Sequence, residues 1–143
     1  MRFMMIVYPK GYESAAPGTL PDTKDMAKMM AFNESLGKAG VLLTLDGLRP
    51  PSMGARVTFS GGKATVTDGP FAEAKETVGG FWILQVKSKA EAIEWAKRAP
   101  MKDTETLELR QVFEFSDFAP EAIDEASHGL PGVRAKIERV QKG

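Results

Sequence analysis

The chain has 143 residues, 19 basic and 19 acidic, and no cysteine. That length suits one domain able to bury about 68–70% of its unfolded surface without metals or cross-links. A formal net charge of zero argues against nucleic acid as a main partner, since phosphate recognition needs a basic excess or a basic stripe. The absence of cysteine excludes disulfides, thiolate chemistry and zinc–thiolate sites.

The first nine residues read Met-Arg-Phe-Met-Met-Ile-Val-Tyr-Pro. Residues 3–8 form a continuous apolar run that stops at Pro9, which suits a strand buried on both faces. The run is too short for a signal peptide, and a membrane helix needs ~20 apolar residues. The expectation is a cytoplasmic protein with no membrane partner.

Residues 9–21 are rich in Pro, Gly and small residues and read as a loop. Asp22 is placed to cap a helix carrying Met26, Met29, Met30 and Leu36 at helical spacing up to Gly40. The methionine stripe is expected to face the core. A second strand follows from Val41 to Leu45 and ends at Arg49-Pro50-Pro51. Residues 55–59 and 63–67 flank Ser60-Gly61-Gly62 as a hairpin, and Asp68-Gly69-Pro70 is a turn. Phe81 to Val86 is a strong strand. Ser88-Lys89-Ala90-Glu91 reads as a capping box opening a second helix through Ala92, Ile93, Trp95 and Ala96. Residues 105–115 alternate as a last strand, and 117–143 form two short helical pieces split at Gly129-Leu130-Pro131-Gly132. Without the hairpin the order is βαββαβ, the ferredoxin-like order, an α+β class in which two helices cover one face of an antiparallel sheet.

Strand parity assigns Val41, Leu43, Leu45, Trp82, Leu84, Val86, Leu107, Leu109 and Phe113 to the helix-covered face. The opposite face receives Leu42, Thr44, Asp46, Phe81, Ile83, Gln85, Glu108, Arg110, Val112 and Glu114. That second set is half apolar and half polar, which suits a subunit interface or a ligand cleft better than open solvent or a dry core. The expectation is a homodimer whose two sheets face each other around a cleft.

The segment Asp68-Gly69-Pro70-Phe71-Ala72-Glu73-Ala74-Lys75-Glu76 resembles the DGPF signature of the YCII-related proteins. Phe32-Asn33-Glu34, Lys38-Ala39-Gly40-Val41-Leu42-Leu43 and Gly47-Leu48 are similar to that family too. So are Gly54-Ala55-Arg56-Val57, Gly80-Phe81-Trp82, Glu91-Ala92-Ile93-Glu94-Trp95, Glu108-Leu109-Arg110 and Asp117-Phe118. The resemblance spans residues 1–118 and leaves 119–143 as a C-terminal helical extension. It implies a ferredoxin-like fold, a dimeric α+β barrel, and a frequent association of relatives with extracytoplasmic-function sigma factors. Smaller YCII proteins carry a His and an Asp proposed as a catalytic pair. By rough alignment those positions fall near Met29 and at Ala99 here, and His128, the single histidine, lies in the extension.

Among candidate ligand-binding residues, Arg110 is the first choice, because a planar guanidinium can hold a carboxylate or phosphate at two points. An ion pair with Glu108, Asp46 or Glu73 is the structural alternative. Glu108, Asn33, Lys75 and Glu76 complete the ligand-binding candidates. Asp68, Glu73 and Asp46 are candidate acids or bases, against turn capping or solvent pairing. Asn33 has the alternative of satisfying a nearby backbone group. Trp82 and Trp95 read as core. No metal-ligand spacing, phosphate loop or dinucleotide fingerprint is present, so no metal and no cofactor are expected. Three functions compete. The first is a regulatory or binding homodimer for a small polar or anionic molecule. The second is an enzyme using Asp/Glu acid–base chemistry on a small anionic metabolite. The third is a sigma-factor-associated interaction module.

Overall fold

The computed structural model describes residues 1–71 and 76–142. Within Met1–Gln111, strands β1 (Arg2–Tyr8), β2 (Leu42–Gly47), β5 (Gly80–Gln85) and β6 (Thr106–Gln111) form one sheet in the order β2-β5-β1-β6. All three neighbouring pairs are antiparallel. Strands β3 (Ala55–Ser60) and β4 (Lys63–Asp68) pair only with each other. Their turn needs positive φ at two successive residues, and Gly61 and Gly62 supply φ of 56° and 77°.

Helix α1 (Thr23–Lys38) begins where the Asp22 carboxylate accepts the Lys24 N–H at 2.7 Å. Met29, Phe32 and Leu36, spaced three and four apart, pack down on the sheet. Helix α2 (Lys89–Ala96) starts with Ser88 Oγ accepting the Glu91 N–H at 3.1 Å. The Glu91 carboxylate reaches back to the N–H of Lys87 at 2.8 Å, one residue before the cap. Both helices pack on the sheet face that carries Phe3, Met5, Trp82 and Leu84, with Ala92 of α2 fully buried. Phe32 meets Trp82 edge to face, centroids 5.6 Å apart.

Three expectations differ from this arrangement. A bulge between Leu42 and Thr44 inserts Leu43 as an extra residue, so Leu42 lies opposite Leu84 on the core face and Leu43 is exposed. Strict alternation is kept again from Thr44 onward. Strand β6 ends at Gln111, because its ladder stops at Phe3↔Gln111, one residue from the start of β1 at Arg2. Val112, Phe113 and Glu114 therefore lie outside the strand. Met29 alone of the α1 methionines packs on the core, while Met26 and Met30 are exposed.

Val112 onward forms a second compact unit. The Glu114 and Asp117 side chains cap a short 3-10 turn reciprocally. Helices α3 (Pro120–Ala126) and α4 (Pro131–Lys142) follow, each opening on proline at a position that has no N–H to satisfy. Buried Ser127 donates from Oγ to the Ile123 carbonyl at 2.8 Å, and Arg134 pairs with Asp124 at 3.1 Å.

Candidate functional site

The sheet face turned away from α1 and α2 is built from two rows that run across all four strands. The first row is Asp46, Phe81, Ile6 and Glu108; the second is Thr44, Ile83, Met4 and Arg110. In each row the central strands β5 and β1 contribute apolar side chains and the edge strands β2 and β6 contribute polar ones. Phe81, Ile83, Met4 and Ile6 are half-buried. Of the candidates assigned to this face, Thr44, Asp46, Phe81, Ile83, Glu108 and Arg110 all lie on it. Met4 and Ile6 also belong to it. Sequence reading missed them because Phe3 to Val7 of β1 are apolar without a break, which hides the strand's period of two.

Arg110 and Glu108 are two residues apart on β6 and form an ion pair at 3.6 Å. Their side chains are 73% and 42% exposed, so the pair is loosely held and solvated. Arg110 therefore keeps donors to offer a second partner.

A cavity of about 240 Å³ opens between the first half of α1 and the end of the sheet where β1 and β2 finish and β5 starts. Met26, Met29 and Leu45 give it apolar walls, and Asp25, Asp46 and Asn33 add polar groups. The sequence permits this close packing through Gly79-Gly80. A Cβ at Gly80 would lie 2.9 Å from the Asp46 carbonyl oxygen, and one at Gly79 would lie 2.6 Å from the Pro9 ring. Backbone bonds lock the corner, from Gly79 N–H to Val7 O at 2.8 Å and from Leu48 N–H to Gly79 O at 2.9 Å.

Asn33 accepts the indole N–H of Trp82 at 2.7 Å. An indole nitrogen only donates, so the amide oxygen must face it, and the amide nitrogen is the group Asn33 has left to offer. Asp25 receives Lys102 Nζ at 2.6 Å. The hydrogen bond from Lys102 holds the Asp25 carboxyl below the usual carboxylate range and raises the Lys102 ammonium in turn. Neither partner of this pair was singled out from the sequence, since Lys102 lies 77 residues further along in a loop.

The remaining candidates lie elsewhere. Asp68 ends β4 opposite Ala55, at the base of the hairpin. The Gly69–Pro70 peptide bond after it is cis. Glu76 is exposed. Glu73 and Lys75 fall outside the described residues. Among the described residues no group of three or more His, Asp or Glu side chains is placed to hold a metal ion, and no helix is long and apolar enough to cross a membrane.

The family model of the YCII-related domain matches residues 1–116. A protein of Rhizobium meliloti (strain 1021), itself described as uncharacterised, is 30% identical over 97 residues, which are 68% of this chain and 78% of that protein. The family match to residues 1–116 takes in every strand of the four-stranded sheet, both helices on it, and the segment Asp68-Gly69-Pro70-Phe71. The chain thus belongs to the YCII-related domain family.

Proposed function

We propose that this chain is a small-molecule-binding homodimer in which two copies appose the mixed faces of their sheets and hold a polar or anionic ligand between them. The observation that carries this reading is the pair of rows, polar at the edges and apolar at the centre, on the face that neither helix covers. Four half-buried apolar side chains on one face favour a partner surface. Flanking polar groups favour a cleft that is not sealed dry. The antiparallel order β2-β5-β1-β6, with the hairpin as an insertion, supports a ferredoxin-like arrangement. Two such sheets face to face would close a dimeric α+β barrel. Arg110 is the anion anchor, with Glu108 as its resting partner.

A thermal-shift panel of small metabolites on wild type and Arg110→Ala tests it. A ligand at 100 times its Kd stabilises by about 2.7 kcal/mol. An anionic hit that vanishes in the variant is the expected result. Hits that persist undiminished in Arg110→Ala would contradict the anchor.

One observation favours an enzymatic reading as well, namely that Asp25 and Asp46 line the same cavity. Asp25, kept anionic by Lys102, would stabilise positive charge, and Asp46 would be the base. Such a cavity suits a substrate with an apolar body and a donor or cationic head. Turnover abolished by Asp46→Asn, with binding retained, would support it.

A further inference from the structure

The β3–β4 hairpin makes no ladder with the four-stranded sheet, and every residue of both strands is exposed. An isolated two-stranded hairpin is at best marginally stable in water. This one nonetheless sorts its side chains by face. Cross-strand partners put Val57, Val66, Phe59 and Ala64 together on one side, with Ala55 and Asp68 at its base, and Arg56, Thr58, Thr65 and Lys63 on the other. Phe59 is 77% exposed, Val66 66% and Val57 52%.

The base of the hairpin is firmly held. Gly69 N–H donates to the Gly54 carbonyl at 2.9 Å, and a Cβ at Gly69 would come within 1.7 Å of the Pro51 carbonyl oxygen. The Arg56 guanidinium lies over the Phe71 ring, 4.0 Å from its centroid. The hairpin is thus a projecting element with an anchored base, an apolar face and no covering for that face.

We infer that the hairpin is an arm whose apolar face packs on a second copy of this chain, an inference that rests on the dimer proposed above. Area is the first argument. Strand spacing and rise give the two-row sheet face roughly 270 Å² and one hairpin face roughly 200 Å², before side-chain relief. A stable interface takes ~800 Å² from each partner. The sheet face alone covers about a third of that, whereas sheet and arm together exceed half, and side-chain relief supplies much of the rest. Charge is the second argument. A chain with zero formal net charge meets no long-range repulsion from a copy of itself, and the outer part of the arm's face, Val57, Phe59, Ala64 and Val66, carries no charge, Asp68 lying at its base. In a two-fold dimer each copy gives one arm and receives one, so the contact closes.

Analytical ultracentrifugation over a concentration series tests the arm with three proteins: wild type, the double variant Phe59→Ser/Val66→Thr, and the opposite-face control Thr58→Ala/Thr65→Ala. The dimer Kd of the Phe59/Val66 variant is expected to rise at least ~tenfold, as loss of an aromatic anchor does. The control is expected to keep the wild-type Kd. An unchanged far-UV circular dichroism spectrum would show that the exposed substitutions leave the fold intact. A Phe59/Val66 variant with the wild-type Kd overturns the arm while leaving the dimer standing, and an equal loss in the control overturns the assignment to the apolar face. A wild type that stays monomeric throughout overturns the dimer and the arm with it.

Discussion

The indole N–H of Trp82 finds Asn33 Oδ1 at 2.7 Å, and the ring itself is almost wholly buried. Asn33→Leu leaves that donor without a partner, which costs about 1–3 kcal/mol and is read as a lower urea midpoint. Thr104 holds φ at 70°, a conformation that β-branched residues rarely adopt. Its side chain is exposed, so Thr104→Asn is expected to stabilise by up to ~1 kcal/mol through relief of backbone strain, measured in the same denaturation assay. The Asp25–Lys102 pair sets a pH dependence. The folded Asp25 carboxyl titrates below its ordinary 3.8, so its contribution is present above that value and is lost as pH falls through the lower folded value. Lys102 titrates above its ordinary 10.5, so its contribution is present below that value and lost as pH rises past it. Stability between those limits is indifferent to this pair. Asp25→Asn is expected to flatten the acid limb of a urea-midpoint-versus-pH curve below about pH 4 and leave the neutral region flat.

At the scale of elements, the number and order of strands and helices were legible because each carries a local signal. Asp22 and Ser88 cap their helices, Gly61-Gly62 turns the hairpin, and the prolines at 50 and 51 end β2. Facing was legible where alternation is regular, as in β5 from Phe81 to Gln85. It failed at Leu43, because a bulge changes parity without leaving any mark in composition. It failed again at Phe113, because the end of a strand depends on where its partner begins, a non-local fact. The Met26 and Met30 stripe misled for another reason: methionine suits core and exposed helical positions alike, and spacing alone does not tell which turn of α1 overlies the sheet. The hairpin base offers an element-scale check. Gly69→Ala forces a Cβ into the Pro51 carbonyl, and overpacking of this kind costs about 1–3 kcal/mol. The expected loss appears in the thermal midpoint, whereas Gly62→Asn at the turn, where Asn tolerates positive φ, is expected to be nearly neutral.

For the whole molecule, the residues that matter most are spread along the chain: Ile6 and Met4 from β1, Asp46 from β2, Phe81 from β5, Glu108 and Arg110 from β6. Their common face follows from the antiparallel register. The sequence reading reached this face through β2, β5 and β6, where Asp46, Gln85, Glu108 and Arg110 mark the polar parity; β1 hid its share because Phe3 to Val7 are apolar throughout. The cavity and its Asp25–Lys102 pair were beyond reach, since they depend on how a loop before β6 approaches the first turn of α1. The dimer and its ligand remain the central proposal for the molecule. Light scattering behind size-exclusion chromatography at micromolar concentration tests it most directly, on wild type and on Ile6→Lys, which sets a charge in the middle of the apposed rows. The expected masses are twice the 15.6 kDa of one chain for wild type and 15.6 kDa for the variant. A wild-type mass of one chain, or a variant that keeps the doubled mass, would contradict the face-to-face dimer.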